Sequence, residues 1–87
     1  MKESTDQWRE WDRAYCWHPF TQHAEWSREG TELILVRGEG PWLFDDGGRR
    51  YFDGNSSIWT NIHGHRHSRL DGALRTQLGE VAHTSFL

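Results

Sequence analysis

His63, His65 and His67 alternate within His63-Gly64-His65-Arg66-His67. On an extended strand such alternation points three imidazoles to one face, a donor set able to hold zinc. Gly64 and Arg66 favour a loop instead, and no cysteine or carboxylate stands at ligand spacing nearby. The favoured reading is a polar loop with one or two buried, hydrogen-bonded histidines, and no metal site is expected. Cys16 and His18 stand two apart. A nucleophilic Cys–His pair needs contact in space, usually between distant sequence positions, so a small buried thiol beside an aromatic turn is the better reading. Gly38-x-Gly40 runs into Pro41 and a strand, not into a helix N-terminus, and reads as a turn, not a phosphate loop. Six tryptophans remain. Trp8, Trp11, Trp26 and Trp42 read as packing residues. Trp17-His18-Pro19-Phe20 and Ser56-Ser57-Ile58-Trp59 lie in loops, where packing and ligand binding both stay open.

The elements that must position these groups follow from pattern. Thr5 to Tyr15 reads as a helix capped by Thr5 or Asp6, with Trp8, Trp11 and Tyr15 on one face. Pro19 is expected to end it, because the residue before proline is pushed out of the helical region, and Cys16 to Ser27 then reads as irregular chain. Leu33–Val36 reads as a strand, Gly38–Pro41 as a turn, and Trp42–Asp45 as a second strand. Asp45-Asp46-Gly47-Gly48 is a hairpin signal, with Arg49–Asp53 returning. The sum is an antiparallel meander over about Glu32 to Asp53. Gly54 to His67 reads as a loop with short extended pieces. Ser68 is expected to cap a final helix with Asp71 as capping-box partner, and Leu70, Ala73, Leu74, Leu78, Val81 and Ala82 form one apolar stripe.

Composition bounds the rest. The formal net charge of −3 excludes a strongly basic nucleic-acid binder. Leu, Ile, Val and Phe number only 16 of 87 residues, low for a self-sufficient core, whereas aromatic richness argues against disorder. A single cysteine excludes an internal disulfide and fits a reducing compartment. No apolar run approaches the roughly 20 residues that cross a bilayer, and the first residues lack a signal-peptide stretch. The expectation is a soluble, cytoplasmic protein with no membrane and no nucleic-acid partner. The chain closes on Thr84-Ser85-Phe86-Leu87 without a polar tail, which suggests an incomplete product.

Two segments, taken together, carry a resemblance. One is Asp12-Arg13-x-x-x-Trp17-His18-Pro19-Phe20-Thr21-Gln22. The other is Tyr51-Phe52-Asp53-Gly54-x-Ser56-Ser57-x-Trp59-x-x-Ile62-His63-Gly64-His65. They resemble the N-terminal region of class III, pyridoxal-phosphate-dependent aminotransferases. The Trp-His-Pro-Phe-Thr segment is similar to the branch that aminates 8-amino-7-oxononanoate to 7,8-diaminononanoate in biotin biosynthesis, with S-adenosylmethionine as amino donor. The resemblance spans about Asp12 to Leu87.

The resemblance implies an α+β piece (helix, small antiparallel β-meander, loop, helix) of an α/β fold-type I transferase. Residues 1–87 would be part of its small domain, without a complete domain. It implies pyridoxal 5'-phosphate as cofactor, small-molecule substrates, a homodimer and ping-pong transamination. It places no catalytic and no cofactor-binding residue in this chain. Nine of the ten basic residues are arginine, and the only lysine, Lys2, stands at an exposed terminus. Such enzymes hold their cofactor through a positioned lysine, so the 87-residue chain alone is expected to be inactive. By the resemblance Phe20, Ile58 and Trp59 are the substrate-binding positions. Ile58 replaces a tryptophan frequent in the family; an aliphatic side chain packs on an alkyl chain but does not stack on an adenine. A different amino donor, or an aromatic-rich binding module without enzymatic activity, are the alternatives.

Overall fold

The computed structural model describes residues 4–30 and 32–87; Lys2 and Thr31 lie outside the described residues. Helix α1 spans Thr5–Tyr15, the bounds its pattern predicts. Its cap differs from expectation. Ser4, not Thr5 or Asp6, is the N-cap, and its Oγ accepts from the Gln7 N–H at 3.2 Å. A hydroxyl one residue ahead of the helix reaches an orphan amide of the first turn; Thr5 and Asp6 are already helical. The helix stops where Cys16 turns extended, with its N–H on the Asp12 carbonyl.

The expectation of irregular chain over Cys16–Ser27 does not hold: helix α2 occupies His23–Glu29. Gln22 caps it by accepting the Glu25 N–H at 3.1 Å. Glu25 in the first turn and Arg28 in the last both complement the helix dipole. Glutamine is not a strong cap signal and the helix has seven residues, so little in the pattern marks it.

Three strands follow, β1 (Leu35–Glu39), β2 (Trp42–Asp45) and β3 (Arg50–Phe52), antiparallel in the order β1-β2-β3. The meander is as expected, but β1 lies further along the chain than Leu33–Val36. Glu39 pairs with Trp42 and Gly38 with Leu43, so the turn contracts to Gly40-Pro41. Gly40 takes a φ of 56°, and that one left-handed residue suffices to reverse the chain. The second hairpin is organised by the Asp45 carboxylate, which accepts from the Gly47 and Arg49 N–H groups and from the Tyr51 hydroxyl. These donors, the Arg49 amide foremost, hold Asp45 below the usual carboxylate range.

Side chains brace the sheet from its faces. Trp42 meets Phe52 edge-on at 5.5 Å, while the Arg50 guanidinium lies 4.0 Å over the Trp42 ring. Helix α1 is tied to the hairpin by Arg9 and Asp46 at 2.6 Å, and Arg13 pairs with Glu32. No residue among those described is buried as a whole. The tryptophans read as packing residues fare unequally: Trp8, Trp26 and Trp42 are half-buried and Trp11 is exposed.

Where extended pieces are expected the chain instead makes a short helical turn, α3 (Ser56–Trp59), and helix α4 follows over Ser68–Leu78. Its N-cap is His67 and no side chain caps it, so the expected Ser68 cap is corrected: Ser68 is already helical. Asp71 still sits in the first turn, where the helix dipole favours it. Leu70, Leu74 and Leu78 form the expected stripe, but all three are exposed, and Val81 and Ala82 lie past the Gly79 C-cap. Among the described residues no helix is long and apolar enough to cross a membrane.

Candidate functional site

The most distinctive backbone lies between β3 and α4. Ser56–Trp59 forms a single turn, α3, whose four residues have φ of 53°, 50°, 60° and 64°. This is left-handed geometry, which costs L-residues about 1–2 kcal/mol each, and none of the four is glycine. Ile58 is β-branched, which makes it a marked outlier. Only a surrounding that over-determines the turn can keep it, and such strain concentrates at functional sites.

Asp53 supplies that surrounding. Its Oδ1 accepts the Ser57 N–H at 2.9 Å, and its Oδ2 accepts the Ser57 hydroxyl at 2.8 Å. The same Oδ2 lies 2.9 Å from His65 Nε2, and His65 Nδ1 lies 2.8 Å from the Asn61 amide nitrogen. With Asn61 donating, Nδ1 is the acceptor and Nε2–H the donor, the tautomer that suits an ionised Asp53. Charge-assisted bonds of this kind are stronger than neutral ones, and three of them converge on this one carboxylate. The Ser57 backbone bond, then its hydroxyl, then His65, hold Asp53 below the usual carboxylate range.

His65 ties this group to the sheet. Its N–H donates to the Gly40 carbonyl at 2.7 Å, and its carbonyl accepts the Gly40 N–H at 3.1 Å. The close approach requires small residues opposite. A Cβ on Gly38 would stand 2.8 Å from the His65 Cβ and 2.9 Å from its Cγ. Gly38→Ala is therefore expected to push His65 off Asp53 and destabilise the full-length protein carrying this segment by about 1–3 kcal/mol. Denaturant unfolding of that variant against wild type is the check.

Acid acts on the same groups. Asp45, Asp46 and Asp53 all titrate below their ordinary value. A depressed folded pKa contributes stability above the unfolded value, about 3.9, and loses it as pH falls through the folded one. The full-length protein is expected to hold its tryptophan fluorescence down to about pH 4 and to lose it below. A fluorescence titration from pH 6 to pH 2 tests this.

Phe20, the other expected substrate position, also has a left-handed φ of 53°. Thus Phe20, Ile58 and Trp59 all stand on left-handed backbone, and all are exposed, at 110%, 74% and 87%. The structure does not bring them into one cavity. Phe20 lines a shallow groove with Gln22, Glu25 and Trp26, to which neither Ile58 nor Trp59 contributes. The segment leading to Phe20 is fixed by His18. Its Nε2 lies 2.8 Å from Asp12 Oδ1, its N–H donates to His23 Nε2 at 2.9 Å, and its ring lies 4.6 Å from Trp26.

The remaining candidates resolve simply. Cys16 is exposed, not buried as expected, because the helix ends there and the chain turns outward. Partial desolvation, then Asp12, raise its pKa, the wrong direction for a nucleophile. Of the three alternating histidines, His65 is the hydrogen-bonded one; His63 and His67 are exposed, their rings 6.0 Å apart. Among the described residues no cluster could hold a metal ion. Asp53, Ser57 and Asn61 are the site residues that spacing alone does not reveal, whereas His65 is the hydrogen-bonded histidine expected of the loop. The one signal in the sequence is Asp53 standing four residues before a serine, a separation at which a carboxylate can accept from the later residue's amide.

The geometry also speaks to phosphate binding. The Gly40 N–H is used by His65, so the Gly38-x-Gly40 turn offers no free amide cradle. The described residues include no lysine.

Comparison with known proteins decides the family. Residues 24–87 match the family model described as Aminotransferase class-III. The chain belongs to the class-III aminotransferases. This class-III chain is 46% identical over 79 residues to an adenosylmethionine-8-amino-7-oxononanoate aminotransferase from Geobacter sulfurreducens, covering 91% of the chain and 17% of that relative. It superimposes on the crystal structure of an adenosylmethionine-8-amino-7-oxononanoate aminotransferase from Methanocaldococcus jannaschii with a TM-score of 0.81 and 39% identity. That match covers 97% of this chain and 19% of the other. An (S)-enantioselective omega-transaminase from Thermomicrobium roseum gives a TM-score of 0.81 at 36% identity, over 100% of this chain and 19% of its own. The class-III segment therefore spans under a fifth of the length of the relatives it matches.

Proposed function

We propose that the chain is the N-terminal segment of an enzyme that converts 8-amino-7-oxononanoate into 7,8-diaminononanoate in biotin biosynthesis, with S-adenosylmethionine as amino donor. The whole enzyme is an α/β, fold-type I homodimer, and residues 1–87 are part of its small domain. The observation that carries this reading is the 46% identity across 91% of the chain to a relative of that name. The left-handed, exposed display of Phe20, Ile58 and Trp59 supports it. In the complete enzyme these side chains form an apolar wall along the alkyl chain of the keto acid, as ligand sites with few polar anchors do. Pyridoxal phosphate, held by residues outside this chain, supplies the electron sink for the amino transfer. The segment contributes substrate orientation and water exclusion, and alone it is inactive.

A different amino donor is the second reading, favoured by Ile58 and by the equal fit to an omega-transaminase. Ile58→Trp separates the two. The change removes a β-branched residue from a φ of 60° and adds an aromatic face beside Trp59. With S-adenosylmethionine as the natural donor, kcat/KM for it is expected to rise about threefold or more, since an added aromatic stack is worth about 0.5–1.5 kcal/mol. Donor profiling in which wild type and variant both ignore S-adenosylmethionine and use lysine or another amine refutes the first reading and selects the second.

A further inference from the structure

No hydrogen bond joins the Asp53 carboxylate to Phe20, Ile58 or Trp59, yet that carboxylate grips Ser57 inside the α3 turn. Its side chain is only 7% exposed, and its two oxygens take three donors from Ser57 and His65. Both Ser57 donors fall on the second residue of the left-handed turn, immediately before Ile58. His65, 18% exposed at its side chain, carries the same carboxylate to the Gly40 backbone and so to the β1–β2 turn. The chain of contacts runs from sheet to His65 to Asp53 to Ser57, and it ends at the two apolar side chains the turn displays.

We propose that Asp53, backed by His65, is a positioning residue for substrate recognition: it holds Ser56–Trp59 left-handed and thereby fixes where Ile58 and Trp59 stand. The proposal rests on the reading of Ile58 and Trp59 as substrate contacts. A left-handed run of non-glycine residues has no intrinsic reason to persist, so removing the clamp lets the turn relax and moves both side chains off the substrate. Glycine, which takes positive φ freely, replaces part of what the clamp provides.

The test uses the complete enzyme with Asp53→Ala, and with Asp53→Ala combined with Ser57→Gly. Three quantities are read: kcat and KM on the donor and acceptor the wild type uses, the absorbance of bound pyridoxal phosphate, and Tm. Asp53→Ala is expected to lower kcat/KM at least tenfold, mostly through KM, with cofactor absorbance retained. Adding Ser57→Gly is expected to recover at least threefold of that loss. A kcat/KM within twofold of wild type overturns the proposal. So does a loss that comes with cofactor loss and is not relieved by Ser57→Gly, which marks a general folding role. Should Asp53→Ala not fold, Asp53→Asn carries the test. It keeps an oxygen for the Ser57 amide but sets an NH2 group against the two donors now on Oδ2. A severalfold rise in KM is expected, and an unchanged KM overturns the proposal. The wild type's choice of donor and acceptor tests the proposed function, whereas the ratio of variant to wild type tests Asp53, so the two fail separately.

Discussion

Trp59→Ala in the complete enzyme is expected to reduce kcat/KM for the keto-acid acceptor by about 30-fold or more, while cofactor binding changes little. Trp59 is 87% exposed on a left-handed turn, an arrangement with no packing use within this segment. A tryptophan side chain covers about 150–250 Å² when engaged. Even half of that, at about 25 cal/mol per Å², amounts to about 2–3 kcal/mol. At 1.36 kcal/mol per tenfold, the loss in rate follows. Because the lost contact is with bound substrate, KM carries most of the change. Steady-state kinetics alongside a titration with pyridoxal phosphate measures both quantities. A normal acceptor kcat/KM removes Trp59 from the pocket.

The isolated 87-residue chain is expected to show no cooperative unfolding. No described residue is buried as a whole, and Trp17, Phe20, Trp59, Ile62, Leu74 and Phe86 are among the large apolar side chains left exposed. Ordering a residue costs about 1.5 kcal/mol, which only burial on a larger scale offsets. What is present, three short strands, a surface ion pair from helix α1 to the hairpin and a capped helix, buries little. Circular dichroism on heating is expected to decline gradually, with binding of a hydrophobic dye at all temperatures. A sharp transition with an enthalpy of about 60 kcal/mol, the value for a folded chain of this size, contradicts the expectation and revives the free-standing binding module.

What the sequence made legible tracks how local each determinant is. Helix α1, strand β2 and the antiparallel meander rest on periodicity and on glycine-bearing turns, which neighbouring residues dictate. Helix α2 was hidden because its cap is a glutamine and its length is seven residues. The α3 turn was hidden for a stronger reason. Ser-Ser-Ile-Trp contains no residue that prefers positive φ, and the carboxylate bonded to Ser57 comes from Asp53, itself bonded to the later His65. Phe20, Ile58 and Trp59 became candidates through family resemblance. Their shared left-handed backbone is a feature that composition and spacing do not encode.

The pairing of β1 teaches a related point. Leu33–Val36 is the most apolar run in the chain, yet the strand is Leu35–Glu39, and its register is set by the Gly40-Pro41 turn. Ile34 still contributes, accepting the Asp46 N–H at 3.0 Å beyond the strand. Turn geometry outweighed hydrophobicity because no core is present within the segment to reward burial of that run.

The most direct test of the central claim is to incubate the complete enzyme, loaded with pyridoxal phosphate, with 8-amino-7-oxononanoate and S-adenosylmethionine and to assay 7,8-diaminononanoate. The account predicts that the diamine forms and that its formation requires both substrates. An acceptor left unchanged by an enzyme that aminates other ketones would contradict it.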